Sequence, residues 1–311
     1  MKIIFFGSSE FAVESLNKIL KTQKHKVICV VTQADKKQGR GLKLVFTPVK
    51  EAAIKNNLKI YQPQDLHSSQ TLNYLKELDP ELFVVVSYGK ILPKELLEIP
   101  KIFAINLHAS LLPKYRGAAP INWAIINAET QTGVTIIKLN PRMDAGEIIL
   151  QKQMPIEDTD TNISLEKKLA ILGSDLVIEA IDLITNNKHK LVKQDETVMS
   201  LAPLMKKENG LIRWDEPAQK IYNLIRGSLR WPGAYTHYQD KIIKIWEAGF
   251  DYNIKSNAVP GEIIGSSKEG IVVKTGEGNL LIKKLQPESG KIMPAYDFLQ
   301  GHKIKIGDRL L

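Results

Sequence analysis

Asn106 and His108 stand two residues apart at the end of a short apolar run, 103–107. On an extended segment side chains alternate, so a spacing of two points both to one side. A carboxamide offers an N–H donor, and an imidazole offers a donor or a transferable proton. The pair therefore has the parts of an oxyanion-stabilising site. An imidazole in that role needs a group to set its tautomer. Asp144, in the turn 140–146 after a later apolar run, is the best-placed carboxylate in the sequence. The three suit acyl transfer to an amine: polarise a carbonyl, hold the oxyanion, and take a proton from the attacking nitrogen. A second reading stays open at this point, because a histidine at a strand end is often only hydrogen-bonded and Asp-x-Gly is a common turn.

Other chemistries lack their parts. There is no H-E-x-x-H, no G-x-S-x-G elbow and no P-loop, so metal hydrolysis, serine hydrolysis and nucleoside triphosphate use are not indicated. The single cysteine, Cys29, lies in the apolar run 27–31 and reads as a small buried hydrophobe. It excludes an internal disulfide and a cysteine-rich metal site, which suits a reducing, cytoplasmic setting.

The elements that must position these residues follow from apolar patterning. Runs at 2–6, 27–31, 82–86 and 103–107 are apolar on both sides, and helical spacing separates them, as in Phe11, Val13, Leu16, Ile19 and Leu20. That is the pattern of a mostly parallel sheet with helices on both faces. Ligands in such sheets bind beyond the carboxyl ends of strands. The stretches after 86 and after 107 are therefore candidate site walls. Gly7-Ser8-Ser9-Glu10 sits where an anion-binding turn can occur, but no G-x-G-x-x-G is present, so a tight strand-to-helix turn is expected. Runs 133–139 and 147–154 predict a hairpin added antiparallel at one side of the sheet, and 165–184 predicts a long closing helix.

Residues 32–48 form a long loop carrying Lys36, Lys37, Arg40 and Lys43, with glycines on either side of Arg40. It reads either as a solvated loop or as a basic finger for RNA phosphates. The net charge of +9 favours a polyanionic partner. After residue 205 the texture changes. Residues 206–311 hold 17 Lys+Arg against 12 Asp+Glu, with short β-like runs between glycine-containing turns. A small β-barrel is expected. The N-terminus is too short in apolar residues for a signal peptide, and no stretch approaches the roughly 18 apolar residues of a membrane span.

The run 106–117, Asn-Leu-His-Ala-Ser-Leu-Leu-Pro-Lys-Tyr-Arg-Gly, together with Met143-Asp144-Ala145-Gly146, resembles the signature of the folate-dependent formyltransferases. The resemblance extends through Gly39-Arg40-Gly41, Val85–Pro93, Asp195-Glu196-Thr197, Ile212-Arg213-Trp214 and Trp231-Pro232-Gly233-Ala234. It implies an α/β fold: a Rossmann-like catalytic domain at 1–187, a linker at 188–205 and a C-terminal OB-like barrel that binds tRNA at 206–311. The implied donor is 10-formyltetrahydrofolate, leaving as tetrahydrofolate. The implied acceptor is the α-amino group of methionine on initiator tRNA. Asn106, His108 and Asp144 match the catalytic trio. Ser110, Leu111, Leu112 and Pro113 match the folate-contacting segment, and Val86, Tyr88 and Ile91 fall where the pterin pocket is walled. Lys36, Lys37, Arg40 and Lys43 match a loop that contacts the acceptor stem. Lys114–Ala119 is read as a turn into the next helix whose charges are incidental. The expectation is a cytoplasmic monomer with neither metal nor membrane partner.

Overall fold

Every apolar run in the first half of the chain becomes a strand. The structure is a computed structural model and describes residues 1–38, 43–301 and 304–311. The strands up to residue 155 are β1 (Lys2–Gly7), β2 (Lys26–Val31), β3 (Lys36–Gln38), β4 (Lys43–Val45), β5 (Ile60–Tyr61), β6 (Leu82–Val86), β7 (Phe103–His108), β8 (Gln131–Lys138) and β9 (Ile148–Pro155). The helices up to residue 185 are α1 (Glu10–Thr22), α2 (Pro48–Lys55), α3 (Ser69–Glu77), α4 (Lys94–Leu97), α5 (Pro120–Ile126) and α6 (Asn162–Thr185). The chain divides into two compact units. Unit 1 is Met1–Pro120, Gln131–Pro155 and Glu166–Pro203; unit 2 is Ile121–Thr130, Ile156–Leu165 and Leu204–Leu311.

Unit 1 is built on a seven-stranded sheet of order β5-β2-β1-β6-β7-β8-β9. The strands from β5 to β7 are parallel, and β8 and β9 run antiparallel at the edge, as the hairpin pattern predicts. Ile3, Ile4, Phe5 and Phe6 are all fully buried, so both faces of the sheet are covered. Full burial of such a side chain contributes about 1.5–3 kcal/mol. One face packs Ile4, Phe6, Cys29, Phe83, Val85 and Ala104 with Leu75, Tyr88, Leu92 and Leu96. Cys29 is inside this core, and burial pushes its thiol up to about 11, which keeps it protonated and inert. Thr47 and Ser68 cap α2 and α3 through hydrogen bonds from Lys50 N and Thr71 N, and Pro48 opens α2.

The sheet changes winding direction between β1 and β6, so their carboxyl ends border the usual ligand crevice of such folds. The turn after β1 is the tight connection expected there. Ser8 Oγ donates to Tyr88 O at 3.2 Å and Ser9 Oγ meets Ser87 Oγ at 2.8 Å, tying the two strand ends together. The long loop at 32–48 departs from expectation. Lys36–Gln38 pairs with Lys43–Val45 as a small antiparallel ribbon. Gly39, Arg40, Gly41 and Leu42 lie outside the described residues.

In unit 2 the elements after residue 205 are α7 (Ala218–Gly227), β10 (Ala234–Tyr238), β11 (Lys241–Asp251), β12 (Ile263–Ser267), β13 (Gly270–Lys274), β14 (Asn279–Pro287), β15 (Met293–Pro294) and α8 (Ala295–Gly301). The strands form one antiparallel sheet of order β10-β11-β14-β13-β12, with β15 beside β14. Its core gathers Trp214, Ile221, Ile225, Ile243, Ile245, Val273, Leu280 and Phe298. Helices α7 and α8 were not expected from the β-like texture of this region. Both are short amphipathic pieces that place Ile221, Ile225 and Phe298 into the core.

Candidate active site

Strand β7 sorts its side chains by alternation. Leu107 faces α6, where Gly173 leaves room for it; a Cβ at Gly173 would stand 2.6 Å from Leu107 Cδ2. Ala104, Asn106 and His108 face the other side, Ala104 within the core that holds Leu92 and Leu96. Asn106 and His108 therefore share one face, as their spacing predicts. Asn106 is half-buried, and among the described residues none hydrogen-bonds its carboxamide.

His108 is buried and engaged at both ring nitrogens. Nε2 lies 2.8 Å from the carbonyl oxygen of Tyr115. A carbonyl can only accept, so Nε2 carries a proton and donates it. Nδ1 lies 3.5 Å from Asp144 Oδ2. The same carboxylate oxygen accepts from Gly117 N at 2.9 Å. Asp144 sits in a left-handed backbone conformation, φ 50°, which aims its short side chain back over the end of β7. Structure thus brings Asn106, His108 and Asp144 together although Asp144 belongs to a different turn.

The segment after His108 is fixed from β8 and β9. Thr135 Oγ1 donates to Ser110 O at 2.6 Å and accepts from Leu112 N at 3.1 Å. Gln151 Nε2 donates to Leu112 O at 2.6 Å and to Thr135 Oγ1 at 3.0 Å. The Leu112–Pro113 peptide is cis. Ser110 and Leu112 are buried, with Ser110 Oγ donating to Lys114 O at 2.6 Å; Leu111 and Pro113 are half-buried. Val86 and Tyr88 are buried, whereas Ile91 is 66% exposed. The Tyr88 ring packs edge-on against Phe6 within the core, and burial pushes its hydroxyl up to about 12. What Tyr88 offers outward is its carbonyl, which accepts from Gln33 Nε2 at 2.7 Å. Lys36 is exposed on β3; Arg40 and the side chains of Lys37 and Lys43 lie outside the described residues.

A wide-mouthed cavity of about 380 Å³ opens beside Ala104, one step down the same face of β7 from Asn106. Leu97, Ile102, Phe103 and Leu139 give it apolar walls, and Lys94, Glu98, Lys138 and Asn140 its polar groups. It does not include Val86, Tyr88 or Ile91.

The structure corrects one expectation outright. The charge on Arg116 is not incidental. Its guanidinium is buried and donates to Gln194 Oε1 from Nε at 3.0 Å and Nη2 at 2.7 Å, and to Glu196 from Nη1 at 2.9 Å and Nη2 at 3.1 Å. These bonds hold the Glu196 carboxyl below the usual carboxylate range. Around them, 192–202 is stitched to the rest of unit 1: Val192 pairs with Ile148, Arg116 N donates to Ser200 O, and Ala202 N donates to Arg116 O. Gln194 Nε2 donates to both Asp144 O and Gly146 O at 2.7 Å. Arg116, Gln194, Thr135 and Gln151 were not singled out by residue type. Arg116 lies within the matched run 106–117 and Gln194 directly precedes the match at Asp195-Glu196-Thr197, but neither match assigns them a bond.

The scaffold is a Rossmann-like, mostly parallel sheet with an antiparallel edge, and at the end of β7 it holds a buried histidine facing a carboxylate, with a carboxamide on the same face. The formyl transferase family model matches residues 1–181, and its C-terminal domain model matches 204–303. The chain belongs to the formyl transferase family. It is 44% identical over 311 residues to the methionyl-tRNA formyltransferase of Fusobacterium nucleatum subsp. nucleatum, covering all of both chains. It is 46% identical over 306 residues to that of Thermodesulfovibrio yellowstonii, covering 98% of this chain and 97% of the relative. Among solved structures, an N-formyltransferase from Helicobacter canadensis in complex with folinic acid and dTDP-3-aminofucose aligns with TM-score 0.66 at 21% identity, over 91% of this chain and 98% of that one. HypX from Aquifex aeolicus in complex with tetrahydrofolic acid aligns with TM-score 0.67 at 18% identity, over 96% of this chain and 47% of that one. Those two likenesses concern the fold.

Proposed function

We propose that this chain transfers the formyl group of 10-formyltetrahydrofolate to the α-amino group of methionyl-initiator tRNA. The observation that carries the reading is the 44% identity to a methionyl-tRNA formyltransferase along the whole of both chains. The site chemistry agrees with it. Among the described residues no helix is long and apolar enough to cross a membrane. In this reading 1–187 is the catalytic domain, 188–205 the linker and 206–311 the tRNA-binding domain.

The folate fits the residues present. A cavity with apolar walls and a few polar groups, beside Ala104 on the face of β7 that also carries Asn106, suits a flat heteroaromatic body with polar edges. Residues of the 86–92 and 110–113 stretches and the cavity walls would hold it, and it supplies an activated formyl group. The chain does the rest. The Asn106 carboxamide, with no partner among the described residues, is available to donate to the formyl oxygen as negative charge gathers there. His108 supplies a second donor from Nε2 by giving up Tyr115 O, a bond made at 2.8 Å before substrate arrives. Asp144 faces Nδ1 and stabilises the ring as a cation, and it can assist loss of the amine proton. One oxyanion donor is worth about 3 kcal/mol of barrier. The basic ribbon carrying Lys36 and the Arg40 loop would guide the acceptor stem by phosphate contacts.

The test is a substrate panel. The protein is incubated with 10-formyltetrahydrofolate and, separately, methionyl-initiator tRNA, an amino-sugar nucleotide, glycinamide ribonucleotide or buffer alone. Formyl-methionine on tRNA, with no product elsewhere, is expected. Formylation of a small amine, or hydrolysis alone, would overturn the assignment.

A further inference from the structure

Gln194 is bonded on both sides of its amide with only one chemically sensible orientation. Its Oε1 receives two N–H groups from Arg116, which can only donate. Its Nε2 gives its protons to Asp144 O and Gly146 O, which can only accept, both at 2.7 Å. The buried guanidinium of Arg116 is in turn held by Glu196. The adjoining Gly117 N–H reaches the Asp144 carboxylate at 2.9 Å. Residues 116 and 117, Gln194 and the turn 144–146 thus close a ring of bonds around Asp144. The residue at the centre of that ring has φ 50° and stands 3.5 Å from His108 Nδ1, longer than an optimal charged bond, so the pairing depends on where the turn is held.

We propose that Gln194 is a positioning residue for formyl transfer, acting on the reaction through Asp144 by clamping the backbone carbonyls of Asp144 and Gly146. The inference rests on the role assigned to Asp144 in the proposed function. Gln194 spends both its donors and its acceptor on the protein. Its two donors fix where the carboxylate stands, and Arg116 fixes the amide that provides them.

The discriminating variant is Gln194→Glu. It keeps the shape and the acceptor for Arg116 but removes both donors, setting a carboxylate oxygen against two carbonyls. Steady-state formylation of methionyl-tRNA should show kcat lower by on the order of 10- to 100-fold, with KM for the tRNA within about twofold. In an Asp144→Asn background the same change should add less than about threefold, because both act on one group. Without any substrate, the Gly117 amide should exchange with solvent faster in the variant. Wild-type kcat in Gln194→Glu, or losses that multiply fully in the double variant, overturns the clamp. Should Gln194→Glu not melt cooperatively, Gln194→Met goes through the same cycle and is judged by the same outcomes. A wild-type protein that does not formylate methionyl-tRNA overturns the proposed function instead. The clamp is then decided by amide exchange, where an unchanged Gly117 rate overturns it.

Discussion

Asp144→Asn isolates charge from shape. In the structure one carboxylate oxygen serves both Gly117 N–H at 2.9 Å and His108 Nδ1 at 3.5 Å. An asparagine can place its amide oxygen at that corner, since Gly117 demands an acceptor there. The backbone turn is held independently by Gln194. What disappears is the negative charge facing the imidazole. Two unit charges 3.5 Å apart in surroundings of effective dielectric 20 attract by about 5 kcal/mol. A neutral oxygen recovers part of that through its hydrogen bond, leaving a loss of about 2–4 kcal/mol for any state in which His108 is cationic. The variant should therefore form formyl-methionyl-tRNA roughly 30- to 1,000-fold more slowly, with KM for the tRNA unchanged. Rapid-quench single-turnover assays with saturating enzyme measure this directly. A rate within about threefold of wild type would mean that the Asp144 charge does not act on the transition state.

Three further outcomes follow from other parts of the molecule. Gly117 has φ 126°, and a Cβ there would stand 2.6 Å from Ala202 O, so Gly117→Ala should lower unit 1 stability by about 2–3 kcal/mol, read as a lower urea midpoint. His25 is held below its ordinary 6.5, chiefly by burial and against the pull of Asp182. The unfolded chain thus takes up this proton first, and stability contributed by the neutral ring is full above pH 6.5 and drains as pH falls below it. Urea midpoints measured between pH 8 and pH 5 should decline less steeply in His25→Leu than in wild type. Arg40→Leu should weaken use of the tRNA and reduce the slope of log affinity against log salt by up to about one unit; an unchanged slope removes the loop from the RNA surface.

Much of the scaffold was legible because burial on both faces leaves a local mark. The runs at 2–6, 27–31, 82–86 and 103–107 are β1, β2, β6 and β7, and the paired runs after 131 are the antiparallel edge. Helices α7 and α8 leave little trace in the sequence because a short helix within a strand-rich region shows too few turns for its period to stand out. At the site, Asn106 and His108 could be grouped because a spacing of two on a strand is itself geometry. Asp144 joined them only as the best available carboxylate. Arg116 and Gln194 carry no such mark. They lie 78 residues apart, and Gln194 is 50 residues from Asp144, so their bonds exist only once the sheet and the stretch 192–202 are assembled. The polar, aperiodic texture that made 188–205 read as a linker is the same texture that a strap of hydrogen bonds to buried groups requires. The basic loop was half legible: its charge stood out, while the pairing of β3 with β4 rests on three residues a side, too few to read as strands.

In the proposed reaction, charge developing on the formyl oxygen is met by the donors at the end of β7. Asn106→Ala tests it most directly, because among the described residues that carboxamide has no bond to lose. Pre-bound methionyl-tRNA is mixed with 10-formyltetrahydrofolate and formyl-methionine is followed through a single turnover. A fall of roughly 100- to 1,000-fold, with tRNA affinity retained, is the predicted result. Formylation at the wild-type rate would remove Asn106 from the oxyanion site.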